Sequence, residues 1–500
     1  MTRINPCGER GKIMGKAKKD TTFRITQFQP NDCVTCSSIM VEVDGIKILF
    51  DLGLLQDSSM SFKQLYHMNM QKLQSIPFDE LDYVVISHAH YDHVAGIPIL
   101  AREESGFKGI IITTELTAEL GKLIMEDACR INKSDVAKYN FKEGKKYRTF
   151  YEKEDIVEVM NNIRCYNYEQ EIKLSDKVTL ELLPACHLSG ACMCYLTYKD
   201  EYKTKRLLFT GDITYHHTVE RPFTKKILDK CLKVDVLLCE STYGLKDKES
   251  LNEGNPVDFL EEVILREVVG KNKTLWIPSF AVHRATSIYL YLYEIFQRNE
   301  EIRKATFPVY FCGQMMFEAH RTIAKDKYNC YYDEQWHDKK DIFYKEPFGF
   351  LTTKKDVEHY CYNNGRKIVI SSSGMFDKGY SSLLADSYVA NGKVSTLACG
   401  YQGEGTLGYQ IRAKEEYAVV NGIRKKVRCS FEGTIPGMSG HANYLGLIDF
   451  VKSLNQHTLK DVILVHGTTE AKESLKRGLE DNLSKDKKVH IIKQFETLSF

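Results

Sequence analysis

Six consecutive residues, His88-Ala89-His90-Tyr91-Asp92-His93, contain three imidazoles and one carboxylate. Imidazole nitrogen and carboxylate oxygen are the donors that suit Zn²⁺ and similar ions. On a loop, donors at i and i+2 reach one ion while those at i+4 and i+5 reach a neighbour. A single ion does not need all four. The apolar run Tyr83–Ile86 precedes this segment and Val94-Ala95-Gly96-Ile97-Pro98 follows it. A loop set between two apolar segments belongs to a core, not to a solvated His-rich tract.

The elements that must hold such a loop are strands alternating with helices. Met40–Val43 and Ile46–Phe50 flank Asp44-Gly45, a hairpin turn pair. Further strands are expected at Tyr83–Ile86, Leu207–Phe209, Val236–Leu238, Thr274–Ile277, Val309–Phe311, Lys367–Ile370 and Val462–Val465. Helical periodicity covers Leu116–Met125, Asp258–Val268, Ala285–Phe296, Leu445–Leu454 and Ala471–Leu479. The alternation argues an α/β architecture. Several strands run straight into chemically capable residues: Asp51, Ser87-His88, Gly211-Asp212, Glu240-Ser241-Thr242, Ser371-Ser372-Ser373-Gly374 and His466-Gly467. Rigid strand ends of this kind present side chains to a shared crevice, so one composite site is expected.

H-x-H-x-D-H after a strand resembles the metallo-β-lactamase-fold hydrolases. The later His, Asp and His of that family are matched by His187 in Pro184-Ala185-Cys186-His187, Asp212 in Thr210-Gly211-Asp212 and His466 in Val465-His466-Gly467. Asp51 matches the family's early Asp, a structural support for the metal loop. The resemblance implies two Zn²⁺ per chain, with Mn²⁺ or another divalent ion left open. His88, His90 and His187 would hold one, Asp92, His93 and His466 the other, and Asp212 would bridge them. The 254 residues from Asp212 to His466 far exceed the spacing in small members of the fold, and the excess is the size of a domain. Its contents resemble the β-CASP nucleases: Glu240-Ser241-Thr242-Tyr243-Gly244, Ser439-Gly440-His441-Ala442, Pro278-Ser279-Phe280-Ala281-Val282-His283-Arg284, Ser372-Ser373-Gly374-Met375 and the Gly400–Gly408 loop. The likeness spans about residues 22–495. It is greatest to the short prokaryotic RNA-cleaving members and the pre-mRNA 3′-end endonuclease. The implied fold is a four-layer αββα metallo-β-lactamase domain with an inserted α/β β-CASP domain. The expected division is a basic tail at 1–21, the metal domain at 22–244 and 428–500, and the insert at 245–427.

The chemistry follows from the donors. Two divalent ions about 4 Å apart clamp a phosphodiester, activate a water and neutralise charge on phosphorus. The leaving oxygen needs a proton, and an imidazole with a carboxylate partner supplies it. His441 with Glu240 fits that role, with Asp92 and Asp212 as catalytic metal-site carboxylates. The expected products are a 5′-phosphate and a 3′-hydroxyl. Ser372, Ser373 and Gly374, with Ser439 and Gly440, offer N–H groups and hydroxyls to phosphate. Ser279 joins them as an RNA contact, and Arg284 presents a planar fork suited to phosphate. For each serine, turn chemistry alone is the competing reading. The Gly400–Gly408 loop reads as a tight turn.

Histidine in the family's last motif accompanies RNA cleavers, and valine the DNA-repair branch, so by this resemblance His466 implies RNA; the partner expected is single-stranded RNA. Several residues depart from the family pattern, including Cys186, Ala191, Asn443 and Thr468-Thr469-Glu470; none removes a ligand. A DNase or dual nuclease of the same fold, and a non-catalytic subunit of an RNA-processing complex, are the alternatives. A small-molecule hydrolase is disfavoured by the insert and the Glu240/His441 pair. Whether the chain forms a homodimer or joins an RNA-processing complex stays open.

With 69 basic and 67 acidic residues the net charge is +2, which excludes nucleic-acid binding by bulk charge and leaves it to local sites. Two basic runs stand out: Lys142, Lys145, Lys146, Arg148, and Arg424, Lys425, Lys426, Arg428. No apolar run is long enough to cross a bilayer, so no membrane partner is expected. Fifteen scattered cysteines in a chain with a large core imply reduced thiols and a cytoplasmic location. Cys33-x-x-Cys36 lacks a second pair at zinc-finger spacing and reads as packed thiols.

Overall fold

The computed structural model describes residues 22–500 except 58, 145, 215–218, 249–253, 338–345, 401 and 455–457. The expected basic tail, 1–21, lies outside the described residues, as does Lys145. Two seven-stranded sheets stack face to face. The first runs, in spatial order, Thr497–Ser499, Phe23–Gln27, Ile39–Val43, Ile46–Phe50, Tyr83–Val85, Ile110–Thr113 and Ile163–Cys165. The second runs Lys488–Ile491, Asp461–Val465, Val236–Glu240, Thr204–Phe209, Cys192–Lys199, Val178–Pro184 and Glu171–Lys173. Their facing sides alternate inward apolar residues, Ile25, Val41, Phe50 and Val85 against Leu180, Leu182, Phe209 and Leu238. Phe50 stacks on Phe209 at 5.0 Å between ring centres, joining the sheets beside the site. Helices cover both outer faces, Phe62–Ser75 and Glu115–Glu143 on the first sheet and Tyr444–Leu454 and Thr469–Asn482 on the second. This is the four-layer α/β arrangement expected.

The hairpin at Asp44-Gly45 forms as read, with both residues at positive φ (49° and 82°), which matches the twist of the two strands. The helix expected at 116–125 is much longer, Glu115–Glu143. Beyond Met125 only Ala128, Cys129 and Val136 are buried on it, so the apolar period that marks a helix fades while the helix continues. The periodic stretch 258–268 divides into Pro256–Val263 and a wider π-type turn, Ile264–Gly270.

A third sheet, six parallel strands in the order Phe348–Leu351, Val309–Cys312, Lys367–Ser371, Thr274–Pro278, Val394–Ala398, Ser430–Thr434, forms the insert. Its central strand is buried throughout, as parallel strands covered on both faces must be. Trp276, fully buried, donates its indole N–H to Ser371 Oγ at 2.9 Å. Strand Ser430–Thr434 pairs into this sheet, past the boundary expected at 427. The insert leaves the second sheet after Val236–Glu240 and returns before Asp461–Val465, which are adjacent and parallel. No helix of the described residues is long and apolar enough to cross a membrane.

Candidate metal and catalytic site

The site lies at the carboxyl ends of the central strands of the two stacked sheets, where open α/β sheets bind ligands. Phe50, Val85, Phe209, Glu240 and Val465 end strands there. Asp51 and His466 follow their strands with φ of 60° and 50°. A non-glycine residue at positive φ is uncommon, and here it turns the chain sharply so that the first residue after each strand faces the crevice.

Three groups of donors converge. His88, His90, His187 and Asp212 form one, Asp92, His93 and His466 a second, and Asp212, Glu240 and His441 a third, each with ligand atoms within 4.8 Å of one another. Asp212 belongs to two groups. In the first, His90 Nδ1 lies 3.1 Å from His88 Nε2 and 2.9 Å from His187 Nε2, and Asp212 Oδ2 lies 3.6 and 3.7 Å from those two Nε2 atoms. In the second, His93 Nε2 and His466 Nε2 are 3.1 Å apart, and His466 Nε2 is 3.4 Å from Asp92 Oδ2. Donors about 2.0–2.1 Å from a tetrahedral ion stand about 3.3 Å from each other. The spacing fits.

Hydrogen bonding at the far side of each ring agrees. The Gly440 carbonyl, which can only accept, takes a hydrogen bond from His187 Nδ1–H. Nε2 of His187 is therefore left with its lone pair toward the group. His93 Nδ1–H donates to Asp51 Oδ2 at 2.7 Å, freeing Nε2 in the same way. Asp51 also accepts from the Ser87 N–H at 2.7 Å and the Ser87 hydroxyl at 2.9 Å, tying strand end to strand end. Thr242 Oγ1 lies 3.0 Å from His466 Nδ1. Asp212 Oδ1 is buried and accepts no hydrogen bond, with His466 Nδ1 3.2 Å away. A buried carboxylate oxygen without a hydrogen bond is under-satisfied, and a cation there would satisfy it. Gly53 completes the support: a Cβ would stand 1.6 Å from the Asp92 carbonyl oxygen, so only glycine lets this loop lie against the metal loop.

Charge is divided among the rings. Burial, reinforced by the neighbouring rings, holds His88 well below the usual histidine range, and burial pushes His90 down to about 3. His187 is likewise lowered by burial. Neutral imidazole is the metal-ligating form. Burial opposes a charge on His93, but Asp212, Asp51 and Asp92 outweigh it and raise that ring. Burial also opposes a charge on His441, yet Glu240 and Asp212 push it up to about 9. His441 Nδ1–H donates to Glu240 Oε2 at 2.9 Å, and its Nε2 faces Asp212 Oδ2 at 3.9 Å. Glu240 is itself fixed, with Oε1 accepting from the Ile213 N–H at 2.8 Å.

The residues expected to bind phosphate separate into two places. Arg284, Ser439 and Gly440 lie at the donor groups. Arg284 is buried, and its Nη2 donates to the His187 carbonyl at 3.4 Å. Ser439 Oγ donates to Tyr243 OH at 3.0 Å. Gly440 does more than the sequence implied, since its carbonyl accepts from both His187 and Thr214. Ser279, Ser372, Ser373 and Gly374 stand instead at strand ends of the insert. Ser279 N–H donates to Ser371 O at 2.8 Å, and Gly374 packs on Phe280. Among the described residues these four make no hydrogen bond or ion pair with the metal-type donors.

Glu220 and His283 were not foreseen. Both are buried and ion-paired, Glu220 following the Asp212 loop and His283 preceding Arg284 on the insert. His283 has φ 75° and ψ −62°. Glu220 also accepts from Ser189 Oγ at 3.4 Å and bridges backbone-to-backbone with Tyr332. The pair joins insert to metal domain two residues from His187. No local pattern announces it, because both the φ and the pairing are tertiary.

Comparison with known proteins accords with this geometry. Residues 40–233 match a metallo-beta-lactamase superfamily domain, 285–411 a Beta-Casp domain, and 424–492 a Zn-dependent metallo-hydrolase RNA specificity domain. Integrator complex subunit 11 of Danio rerio is 25% identical over 471 residues, covering 92% of this chain and 72% of that protein. An RNase J-like protein of Methanocaldococcus jannaschii is 28% identical over 445 residues, 86% of this chain and 89% of that one. Cleavage and polyadenylation specificity factor 73 of Drosophila melanogaster is 25% identical over 459 residues, 90% of this chain and 60% of its own length. A crystal structure of a protein of unknown function from Enterococcus faecalis shares the fold, with a TM-score of 0.54 at 10% identity, covering 96% of this chain and 100% of that one. The chain belongs to the β-CASP family of metallo-β-lactamase-fold, metal-dependent nucleases.

Proposed function

We propose that the protein is a ribonuclease of RNA processing or decay. It hydrolyses phosphodiester bonds at a pair of divalent ions, zinc in the first instance, and leaves a 5′-phosphate and a 3′-hydroxyl. The observation that carries this reading is the place of Asp212 between the two histidine groups, its Oδ2 3.6 Å from His88 Nε2 and 3.3 Å from His93 Nε2, with His441 Nε2 3.9 Å from the same oxygen. His88, His90, His187 and Asp212 would hold one ion, and Asp92, His93, His466 and Asp212 the other. Two ions bound there supply an activated water and neutralise charge on the phosphate.

The chain's own residues do the rest. Asp51 and the Gly440 carbonyl orient His93 and His187. Arg284, held between His187 and Gly440, would meet a phosphate oxygen. His441, charged because Glu240 stands at 2.9 Å, gives the proton on Nε2 to the leaving oxygen. RNA as substrate is supported by the match to an RNA specificity domain at 424–492 and by the likeness to an RNase J-like protein. We propose the same domain division as the sequence suggests, with Ser430–Thr434 counted in the insert. The test is digestion of matched end-labelled single-stranded RNA and DNA, with and without chelator, with the product ends analysed. Cleavage of RNA alone, abolished by chelator, is expected. Chelator-resistant cleavage would refute the mechanism, and DNA cut as fast as RNA would replace the ribonuclease by a dual nuclease.

A further inference from the structure

The fold treats the two basic runs of the sequence differently. In the hairpin of Tyr417–Val420 and Ile423–Lys426, Lys425 pairs with Asp386, Lys426 pairs with Glu416 and Arg424 lies over the Tyr417 ring. Two of that run's four cations are thus paired with carboxylates and a third is spent on a ring. Helix Glu115–Glu143 also pairs its charges at first: Lys122 with Glu126, Arg130 with Asp127, Lys133 with Glu152. Past that point the pattern stops. Lys138, Lys142, Lys146 and Arg148 are exposed, as is Lys63 opposite them, and among the described residues none has a carboxylate within ion-pair distance.

Aromatic rings stand among these cations. Phe62 stacks on Tyr139 at 4.3 Å and 9°, Tyr66 on Phe150 at 5.2 Å and 19°, and Tyr147 packs edge-on against both Phe62 and Tyr66. Tyr147 and Phe150 are pinned in place. Asn140 exchanges two hydrogen bonds with the Tyr147 backbone (2.9 and 2.7 Å), and Asn132 accepts from the Phe150 N–H at 3.1 Å. Phe141 is left 94% exposed beside Lys142. The two helices that carry the surface also reach the metal loop. Helix Phe62–Ser75 sends Lys72 Nζ to the Gly53 carbonyl at 2.6 Å, and Gly53 lies directly on Asp92. On the other side, Tyr91 of the metal loop has Asp135 as an electrostatic neighbour, one turn before Tyr139.

Unpaired cations that can follow a sugar–phosphate backbone, with an exposed ring beside them, are what holds single-stranded nucleic acid. We infer that this surface binds a single-stranded segment of the RNA substrate outside the cleavage cleft. Phosphates meet Lys138, Lys142, Lys146 and Arg148, and a base stacks on Phe141. The inference rests on the ribonuclease reading.

The test uses the metal-loaded full chain, the triple variant Lys142→Glu/Lys146→Glu/Arg148→Glu, and Phe141→Ala. Among the described residues none of these four side chains makes a hydrogen bond, ion pair or ring contact, so the fold should be kept. Substrates are single-stranded RNAs of about 6 and about 30 nucleotides with one cleavage sequence, the shorter being less than a typical extended binding site. For the triple variant, KM for the long RNA rises about tenfold or more. The slope of log binding constant against log salt falls by about 2, since each lost phosphate contact removes about 0.7. Phe141→Ala raises the same KM without changing the slope. Cleavage of the short RNA and metal content stay as in the wild type. An unchanged KM and salt slope for the long RNA would overturn the inference while leaving the ribonuclease reading intact. Unchanged RNA kinetics with loss of a co-eluting protein would overturn it too, assigning the surface to a protein. If the loaded wild type cuts neither RNA, both fall.

Discussion

Replacing Gly440 by alanine adds one methyl group at the point where the metal-type donors, the insert and the last part of the chain meet. Gly440 does not have a left-handed φ, so its backbone accepts alanine and the obstacle is space alone. The new Cβ would stand 2.2 Å from Arg284 Nη2, 2.6 Å from His187 Cε1 and 2.7 Å from His187 Nδ1. An ordinary contact is about 3.5–4.0 Å, so roughly 1 Å of movement is demanded of two buried groups. The His187 ring has little freedom to give it, because Nδ1 is bonded to the Gly440 carbonyl itself. Metal–ligand distances tolerate only about 0.2 Å. Disturbing the groups that orient a ligand costs about 10–100-fold in metal affinity or activity, which is about 1.4–2.7 kcal/mol. Overpacking adds about 1–3 kcal/mol of lost stability. The assay is metal content by plasma mass spectrometry across a chelator series, with kcat and Tm measured on the same preparations. One ion of the pair should leave at about tenfold lower chelator or below, and kcat should fall with it. Wild-type metal retention with wild-type kcat would refute the placing of His187 in the first group. A lowered Tm with full metal retention would refute it equally, since the methyl would then act on packing alone.

Glu240→Gln tests the proton donor. His441 is raised to about 9 with Glu240 beside it, so its charged form, and the stability that charge contributes, is present below the ordinary value and is lost as pH rises through about 9. A ring returned to the ordinary 6.5 is only about one-tenth charged at pH 7.5, so kcat should fall about tenfold there and approach the wild type at pH 6. A ratio that does not change with pH would remove His441 from that role. Stripping metal with chelator should lower Tm by several degrees, since a ligand at a thousand times its Kd adds about 4 kcal/mol to the folded state; an unmoved Tm would mean that the donor groups do not hold ions. Trp276→Ala should cost about 3–5 kcal/mol by urea denaturation, because the indole is fully buried and its N–H serves Ser371. A loss below about 1 kcal/mol would show that the insert core repacks around the gap.

Much of the donor set was legible because four of its members stand in six residues and the others follow strands in a fixed order. His187 and His466 alone carry no signal; each is one imidazole at the end of a strand. The supports were harder to see. Gly440 acts through a carbonyl oxygen that every residue possesses, so its residue type pointed to phosphate and not to His187. Glu220 and His283 become partners only when the insert closes on the metal domain. Helix Glu115–Glu143 outruns its apolar stripe because its distal half is stabilised by rings on Phe62–Ser75, a contact between segments far apart in sequence. Ser372–Gly374 shares the pattern of a strand running into polar residues, yet its strand belongs to the third sheet. A local pattern states that a loop is polar and cannot state which sheet carries it.

The pairing of Phe23–Gln27 with Thr497–Ser499, together with the place of His466, gives the molecule a timing. A polypeptide still on the ribosome with residues up to 450 released has His88, His90, His187 and Asp212, and so the first group of donors. It has neither His466 nor the strand Asp461–Val465 that sets it beside Glu240. Its second group is incomplete, and its first sheet still lacks an edge strand. The two-ion chemistry proposed above therefore waits on Asp461–Val465, and the edge of the first sheet on Thr497–Ser499, segments far along the sequence from the donors they complete and the strand they cover.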